Sequence, residues 1–333
     1  MGSEGQVAEC RIGFIGAGGV AARHARMLGE FDDVRLVSVT DLNTEQAGAF
    51  ADEHGMRTVP GVDQLIDSGL DAVYVCVPPF AHGPAEEAVA AAGLALFVEK
   101  PIGLDAEVAE RIAGVLRESG VITAVGHHWR YSPVVDCARQ ALAERRVRLA
   151  MGAWLDKVPP VPWWARRTRS GGQVIEQAIH VLDLARLLVG EVVEVSAVAD
   201  ASPPDAPGAD VDGATVVNLR FAGGAVGSLA ATCLLAWKHR AGLEVYADGL
   251  AVTMTEDSVE IRDRSGPAVR GFDPDAAKRA ADRAFVDAVL GRGDDVRSPY
   301  QDALRTHRLA CAVTRSIDLG GPVRLTEDRD ARR

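Results

Sequence analysis

Arg11-Ile12-Gly13-Phe14-Ile15-Gly16-Ala17-Gly18-Gly19-Val20-Ala21 decides how the first part of the chain is read. A short apolar strand runs straight into G-x-G-x-x-A, and a helix is predicted to follow over about residues 19–29. The first glycine suits a tight turn, the second lets backbone approach a pyrophosphate, and the small Ala21 lets the helix pack on the strand. The N-terminus of such a helix turns the positive end of its dipole toward phosphate. Gly16, Gly18, Gly19 and Val20 are therefore expected beside a dinucleotide. Glycine turns are common, but here a second apolar strand over residues 34–39 ends in Thr40-Asp41. Asp41 stands 23 residues beyond Gly18, where an acid accepts the adenosine-ribose hydroxyls. The expected cofactor is NAD rather than NADP, because Leu42-Asn43 supply no cation for a 2′-phosphate.

Outward from this turn, apolar strands at 71–77, 94–98 and 122–125 alternate with helices at 84–92 and 105–119. Near-continuous apolar strands separated by helices mean a parallel, doubly wound sheet that binds ligands at its carboxyl ends. Asp41, the loop Pro78-Pro79-Phe80-Ala81-His82, Glu99-Lys100-Pro101 and His127-His128 all stand at or just past such ends. A Rossmann domain over residues 1–128 is expected. Lys100 is informative by contrast: of 36 basic residues only Lys100, Lys157, Lys238 and Lys278 are lysine. A site needing only positive charge would usually be arginine in this chain, so Lys100 suggests a compact donor with an adjustable pKa. The alternative is an ordinary ion pair with Glu99.

From about residue 130 the pattern changes. A helix at 133–144, a strand at 149–155 and a proline-rich loop at 158–170 precede a run of short strands. These strands, at 192–199, 215–221, 225–235, 242–246, 251–255 and 259–262, are joined by turn signals and argue an antiparallel sheet. Helices at 274–290 and 299–319 follow. The expected layout is an α/β chain with a second domain over 129–325 and a charged tail at 326–333. Between the loop and the strands, Ser170 and Gln173 form a candidate capping box for a helix through Leu184. On a regular helix Glu176, His180, Asp183 and Leu187 share one stripe within about 60° of arc, on a helix otherwise apolar all round. Such a stripe faces a cavity, or its members bond one another; one helix offers too few ligands for a metal, and none is expected. Trp163 and Trp164 precede that helix in the loop, where flat rings suit the C–H face of a sugar. Arg130 or Arg166 could fork to hydroxyls or a carboxylate. The alternative for the indoles is a place in the core.

Composition narrows the class. Hydrophobic residues make up 47% and charged residues 25%, as in a globular protein. With 36 basic against 47 acidic side chains there is no basic tract for nucleic acid. Five cysteines without a paired spacing read as free thiols in a reducing compartment, and MGSEGQVAEC lacks a signal-peptide pattern. A cytoplasmic location, without membrane association, is expected.

Taken together, the glycine turn, Pro78-Pro79-x-x-His82, Glu99-Lys100-Pro101 and Gly171-Gly172 with His180-x-x-Asp183 resemble the Gfo/Idh/MocA oxidoreductases over about residues 10–325. The resemblance implies a Rossmann domain followed by an α/β domain with an open, largely antiparallel sheet, and pairing into homodimers or homotetramers. It also implies hydride transfer between NAD and a carbinol or ketone carbon of a sugar or cyclitol. By carry-over, Lys100 touches the reacting oxygen, His180 is the acid/base, and Glu176 stands where the family usually has Asp. Pro78, Pro79, His82, Glu99 and Lys100 itself join the cofactor residues, and Arg130, Trp163, Trp164, Arg166, Gln177 and Asp183 the substrate residues. Two other readings share these motifs: a dinucleotide-sensing regulator, and an NAD-assisted glycosidase or epimerase that regenerates its cofactor.

Overall fold

The computed structural model describes residues 9–325; the tail expected at 326–333 lies outside them. The described chain divides into two compact units, one of residues 9–103, 107–126 and 278–302, the other of 104–106, 127–277 and 303–325.

In the first unit β1 (Cys10–Ile15), α1 (Gly19–Leu28), β2 (Val34–Thr40), α2 (Thr44–His54), β3 (Arg57–Thr58), α3 (Val62–Ile66) and β4 (Ala72–Val75) follow one another. They are succeeded by α4 (Pro84–Ala91), β5 (Ala95–Val98), α5 (Ala106–Ser119) and β6 (Thr123–Val125). The strands form one parallel sheet in the order β3-β2-β1-β4-β5-β6. That order reverses between β1 and β4, which makes their carboxyl ends the expected ligand crevice of a Rossmann sheet. All four residues of β4 and of β5 are buried, as a parallel strand covered on both faces requires. α2, β3 and α3 were not foreseen; for β3 and α3, two and five residues are too few to show a period.

The second unit holds α6 (Pro133–Leu142), β7 (Val147–Leu155), α7 (Arg167–Ser170), a π-helical segment (Val174–Ala178) and α8 (Ile179–Val189). Then come β8 (Val192–Asp200), β9 (Ala214–Phe221), β10 (Val226–Thr232), β11 (Arg240–Ala247), β12 (Leu250–Met254), β13 (Ser258–Asp263) and β14 (Gly266–Gly271). The chain closes with α9 (Ala276–Val289), α10 (Tyr300–Leu319) and β15 (Val323–Arg324). Nine strands pair in the order β14-β13-β12-β11-β7-β10-β9-β8-β15. Every neighbouring pair is antiparallel except β7 with β10. β9 alternates strictly: Thr215, Val217, Leu219 and Phe221 are buried, while Val216, Asn218 and Arg220 face out. The inward positions pack with Ile179, Leu182 and Ala185 of α8 and Val134, Val135 and Ala138 of α6. On the outer face Val198 pairs with Val216 and Val216 with Ala230. Val198 is 69% and Val216 48% exposed there, with Met151 and Val226 exposed as well. Among the described residues no helix is long and apolar enough to cross a membrane.

The sequence places the division between domains near residue 128, but the structure returns residues 278–302 to the first unit. The cause is aromatic packing. Tyr74 and Phe97 stack at 4.5 Å, and Phe285 of α9 meets both edge-on at 5.6 and 5.5 Å. Arg283, also on α9, binds Asp33 ahead of β2 and covers the Phe31 ring at 4.7 Å.

Candidate active site

In the first unit the turn between β1 and α1 has the features a dinucleotide needs. Gly16 sits at φ +94°, and a Cβ there would lie 2.4 Å from the Cys76 carbonyl oxygen, so only glycine fits. α1 follows Gly18, which supplies no side-chain cap, and has no acid in its first turn. Nothing lies within 4 Å of where a Gly19 Cβ would be, so the helix end and its N–H groups stand open. Val20 is 42% exposed beside it. The Asp41 carboxylate is fixed next to this turn, accepting from Ala17 N at 2.8 Å and Asn43 N at 2.7 Å. Asn43 in turn caps α2 through Gln46 N. Open helix N–H groups beside a fixed carboxylate fit the phosphates and ribose of NAD.

Past β4, Pro78 is half-buried and Pro79 buried. Two residues expected to touch the cofactor lie beneath the surface instead. His82 Nδ1 is 2.5 Å from Glu86, whose other oxygen accepts from Gly83 N at 2.8 Å, and both side chains are wholly buried. His82 therefore anchors the proline loop from inside. Glu99 is buried too, held by His24 Nε2 at 2.8 Å and the Arg23 guanidinium at 3.4 Å, with Lys100 N donating to it at 3.1 Å. Burial would raise the Glu99 pKa, but the His24 hydrogen bond and the His24, Arg23 and Lys100 charges bring it to about 2. Lys100 follows, half-buried, at the end of β5.

In the second unit the expected capping box does not form. Gly171 and Gly172 take φ of +75° and +87°, which separates Ser170 from the next helical residue. Ser170 ends α7, its Oγ donating to Arg166 O and accepting from Gly172 N, while Gln173 donates to Thr232 O and to Gln177. The wider π turn at Val174–Ala178 then replaces the regular spacing on which the polar stripe was drawn. Its members take separate partners. Glu176 accepts from Trp164 Nε1 at 2.5 Å. The His180 ring lies near-parallel to Trp129 (5.9 Å, 12°) and Trp154 (5.8 Å, 24°), and meets His127 and His128 edge-on. Asp183 receives both arms of Arg130 at 2.7 and 2.6 Å and the Thr306 hydroxyl at 2.6 Å. Burial alone would raise its pKa; the His127 and Arg130 charges and these hydrogen bonds hold it well below the usual carboxylate range.

This arrangement places four expected substrate contacts, Arg130, Trp164, Gln177 and Asp183, beneath the surface. Arg130 and Asp183 are 5% and 1% exposed and bond each other, so they brace the histidine helix from within. Trp164 is fully buried against Val211 and Cys233 and offers no face to a sugar. Gln177 is 9% exposed and bonded to Gln173. Trp163 and Arg166 do border a groove of about 490 Å³, with Pro162, Thr168, Arg169 and Asp210.

A family model described as an oxidoreductase family with an NAD-binding Rossmann fold matches residues 10–127, and the GFO/IDH/MocA C-terminal domain matches 144–252. An inositol 2-dehydrogenase of Rhizobium meliloti (strain 1021) is 30% identical over 322 residues, covering 92% of this chain and 96% of the relative. The chain belongs to the Gfo/Idh/MocA oxidoreductase family. A UDP-N-acetylglucosamine 3-dehydrogenase of Acidithiobacillus ferrooxidans is also 30% identical, over 90% of each chain. The fold matches a levoglucosan dehydrogenase solved with NADH and levoglucosan at a TM-score of 0.86 and 21% identity, covering 96% of this chain and 100% of the other.

Within this family member, sequence reasoning missed His24, which sits on the helix of the glycine turn. Its signal was a histidine on the buried face of a helix otherwise lined by alanine, methionine and leucine. It also missed Glu256 and Lys238, which bond each other at 3.1 Å. Lys238 Nζ lies 5.3 Å over the Trp154 ring, and Glu256 stands 3.6 Å from His128. The His128 hydrogen bond is the main cause that lowers the Glu256 pKa. Both residues lie in turns without periodicity, and only tertiary structure brings them there.

Proposed function

We propose that this oxidoreductase moves a hydride between NAD and a carbinol or ketone carbon of a sugar, sugar derivative or cyclitol. The observation that carries the reading is the His180 imidazole, held among two indoles and two imidazoles on the helix after Gly171-Gly172. An imidazole titrates near working pH and suits proton exchange with a hydroxyl. NAD, when bound, supplies the hydride acceptor. Lys100 donates a hydrogen bond to the reacting oxygen and stabilises its charge, and His180 takes the hydroxyl proton. Glu176, held by Trp164, orients a neighbouring group. Trp163 and Arg166 are the remaining candidates for substrate contact. The test is a panel of cyclitols, sugars and nucleotide sugars with NAD, read by NADH absorbance. Stoichiometric NADH supports net oxidation, whereas conversion without NADH accumulation moves the reading to the glycosidase or epimerase chemistry.

Two further properties follow from the same geometry. NAD is expected to bind more tightly than NADP, because the fixed Asp41 carboxylate would face a 2′-phosphate. At an effective dielectric of about 20 such a contact costs on the order of a few kcal/mol. Fluorescence titrations giving equal affinities for NADH and NADPH would contradict this. The chain is also expected to self-associate into a homodimer or homotetramer through the outer face of the nine-stranded sheet, where Met151, Val198, Val216 and Val226 are exposed. A monomeric mass by light scattering at micromolar concentration would refute that.

A further inference from the structure

We propose that His24 is a positioning residue for Lys100: its imidazolium bridges Asp282 and Glu99, and through Glu99 it fixes the backbone from which the lysine projects. The proposal rests on the catalytic reading of Lys100. His24 hangs from α1, the helix whose first turn carries the glycine pattern. Its Nδ1 lies 2.7 Å from Asp282 Oδ1 and its Nε2 2.8 Å from Glu99 Oε1, with the residue 2% exposed. Only the doubly protonated ring donates to a carboxylate at each edge. Tyr74 adds its hydroxyl to the same Asp282 oxygen at 3.2 Å.

Burial pushes the His24 pKa down, but Asp282 and Glu99 outweigh it and raise the value to about 9. Asp282 on α9 and Glu99 past β5 act on the ring directly; Arg23 on α1, Tyr74 on β4, Cys76 just past β4 and Lys100 past β5 act on those two carboxylates. Glu99 passes the constraint onward. One of its oxygens meets His24 and Arg23, the other takes Lys100 N, and a Cβ on Gly126 would fall 2.5 Å from the carboxylate. The carboxylate thus has a single seat, and the backbone of Lys100 is bonded to it. Asp282 belongs to the returning segment 278–302, so one ring joins the cofactor helix, the lysine loop and that segment.

As pH rises through about 9 the ring loses a proton and one of the two carboxylates loses its hydrogen bond from His24. Below that pH the bridge is complete. The four lysines make this measurable without a substrate. In the full chain, reductively methylated with carbon-13, the Lys100 resonance is assigned by its loss in Lys100→Met. Its shift should inflect near pH 9 in addition to its own titration. That inflection should vanish in His24→Gln and Asp282→Asn, and be absent from Lys157 and Lys238, which belong to the second unit. NADH affinity should stay within one decade in both variants. On a substrate from the panel, kcat should fall roughly tenfold with little change in KM. A Lys100 resonance that titrates identically in wild type and in a folded His24→Gln overturns the proposal. Should neither variant fold, the wild-type titration decides, and a single Lys100 inflection overturns it. Lys100→Met with wild-type turnover would refute the catalytic reading alone, leaving the resonance result to stand or fall by itself.

Discussion

His180→Ala is expected to lower kcat by ~100- to 10,000-fold, the usual loss for one acid/base group. Lys100→Met should cost ~100- to 1,000-fold, as removal of a donor at a developing oxyanion does. Both should leave NADH binding nearly intact, because neither side chain belongs to the glycine turn or to the Asp41 cluster. In the proposed chemistry both act on one oxygen in one step, so the double variant should lose far less than the product of the single losses. Glu176→Asp, which restores the residue usual in the family, should be milder than either. Turnover at the wild-type rate in both Lys100→Met and His180→Ala, on a substrate from the panel, would remove the two residues from the chemistry.

Asp183→Ala should unfold the protein at a markedly lower temperature. It leaves the buried Arg130 guanidinium without its bidentate partner, and breaking such a pair from one side costs about 3–5 kcal/mol. At roughly 2–4 °C per kcal/mol for chains of about 150–250 residues, Tm should drop on the order of 10 °C. Replacing both partners with apolar residues, Arg130→Met with Asp183→Leu, should lose less than either single removal. Thermal unfolding followed by circular dichroism separates this from a substrate role. An unchanged Tm with a raised KM would return Arg130 and Asp183 to the substrate.

Local pattern made the first sheet legible. The glycine turn, the buried parallel strands and the acid after β2 each depend on neighbours in sequence, and each lies where the spacing placed it. Strands β7 to β13 of the second sheet were legible for the same reason, whereas β14 and β15 were not foreseen. The polar helix was read as regular because nothing in its composition announces a π turn, and two adjacent glycines at positive φ override the capping signal of Ser170. Trp164 looked like a ligand platform because its covering residues, Val211 and Cys233, are distant in sequence. His82 and Glu99 stand at strand ends as expected, but what packs behind them decides which way their charges face.

The return of residues 278–302 to the first sheet sets a timetable for synthesis. Fourteen of the strands, β1 to β14, are translated before Asp282, Phe285 and Val286. Until those residues clear the ribosome, Tyr74 and Phe97 lack the ring that meets both edge-on, and His24 has Glu99 but not Asp282. The second unit waits in the same way for residues 303–325. Domains translated in series commonly fold in series. Here the part translated first cannot close early: the first unit is completed only with residues 278–302, shortly before residues 303–325 complete the second.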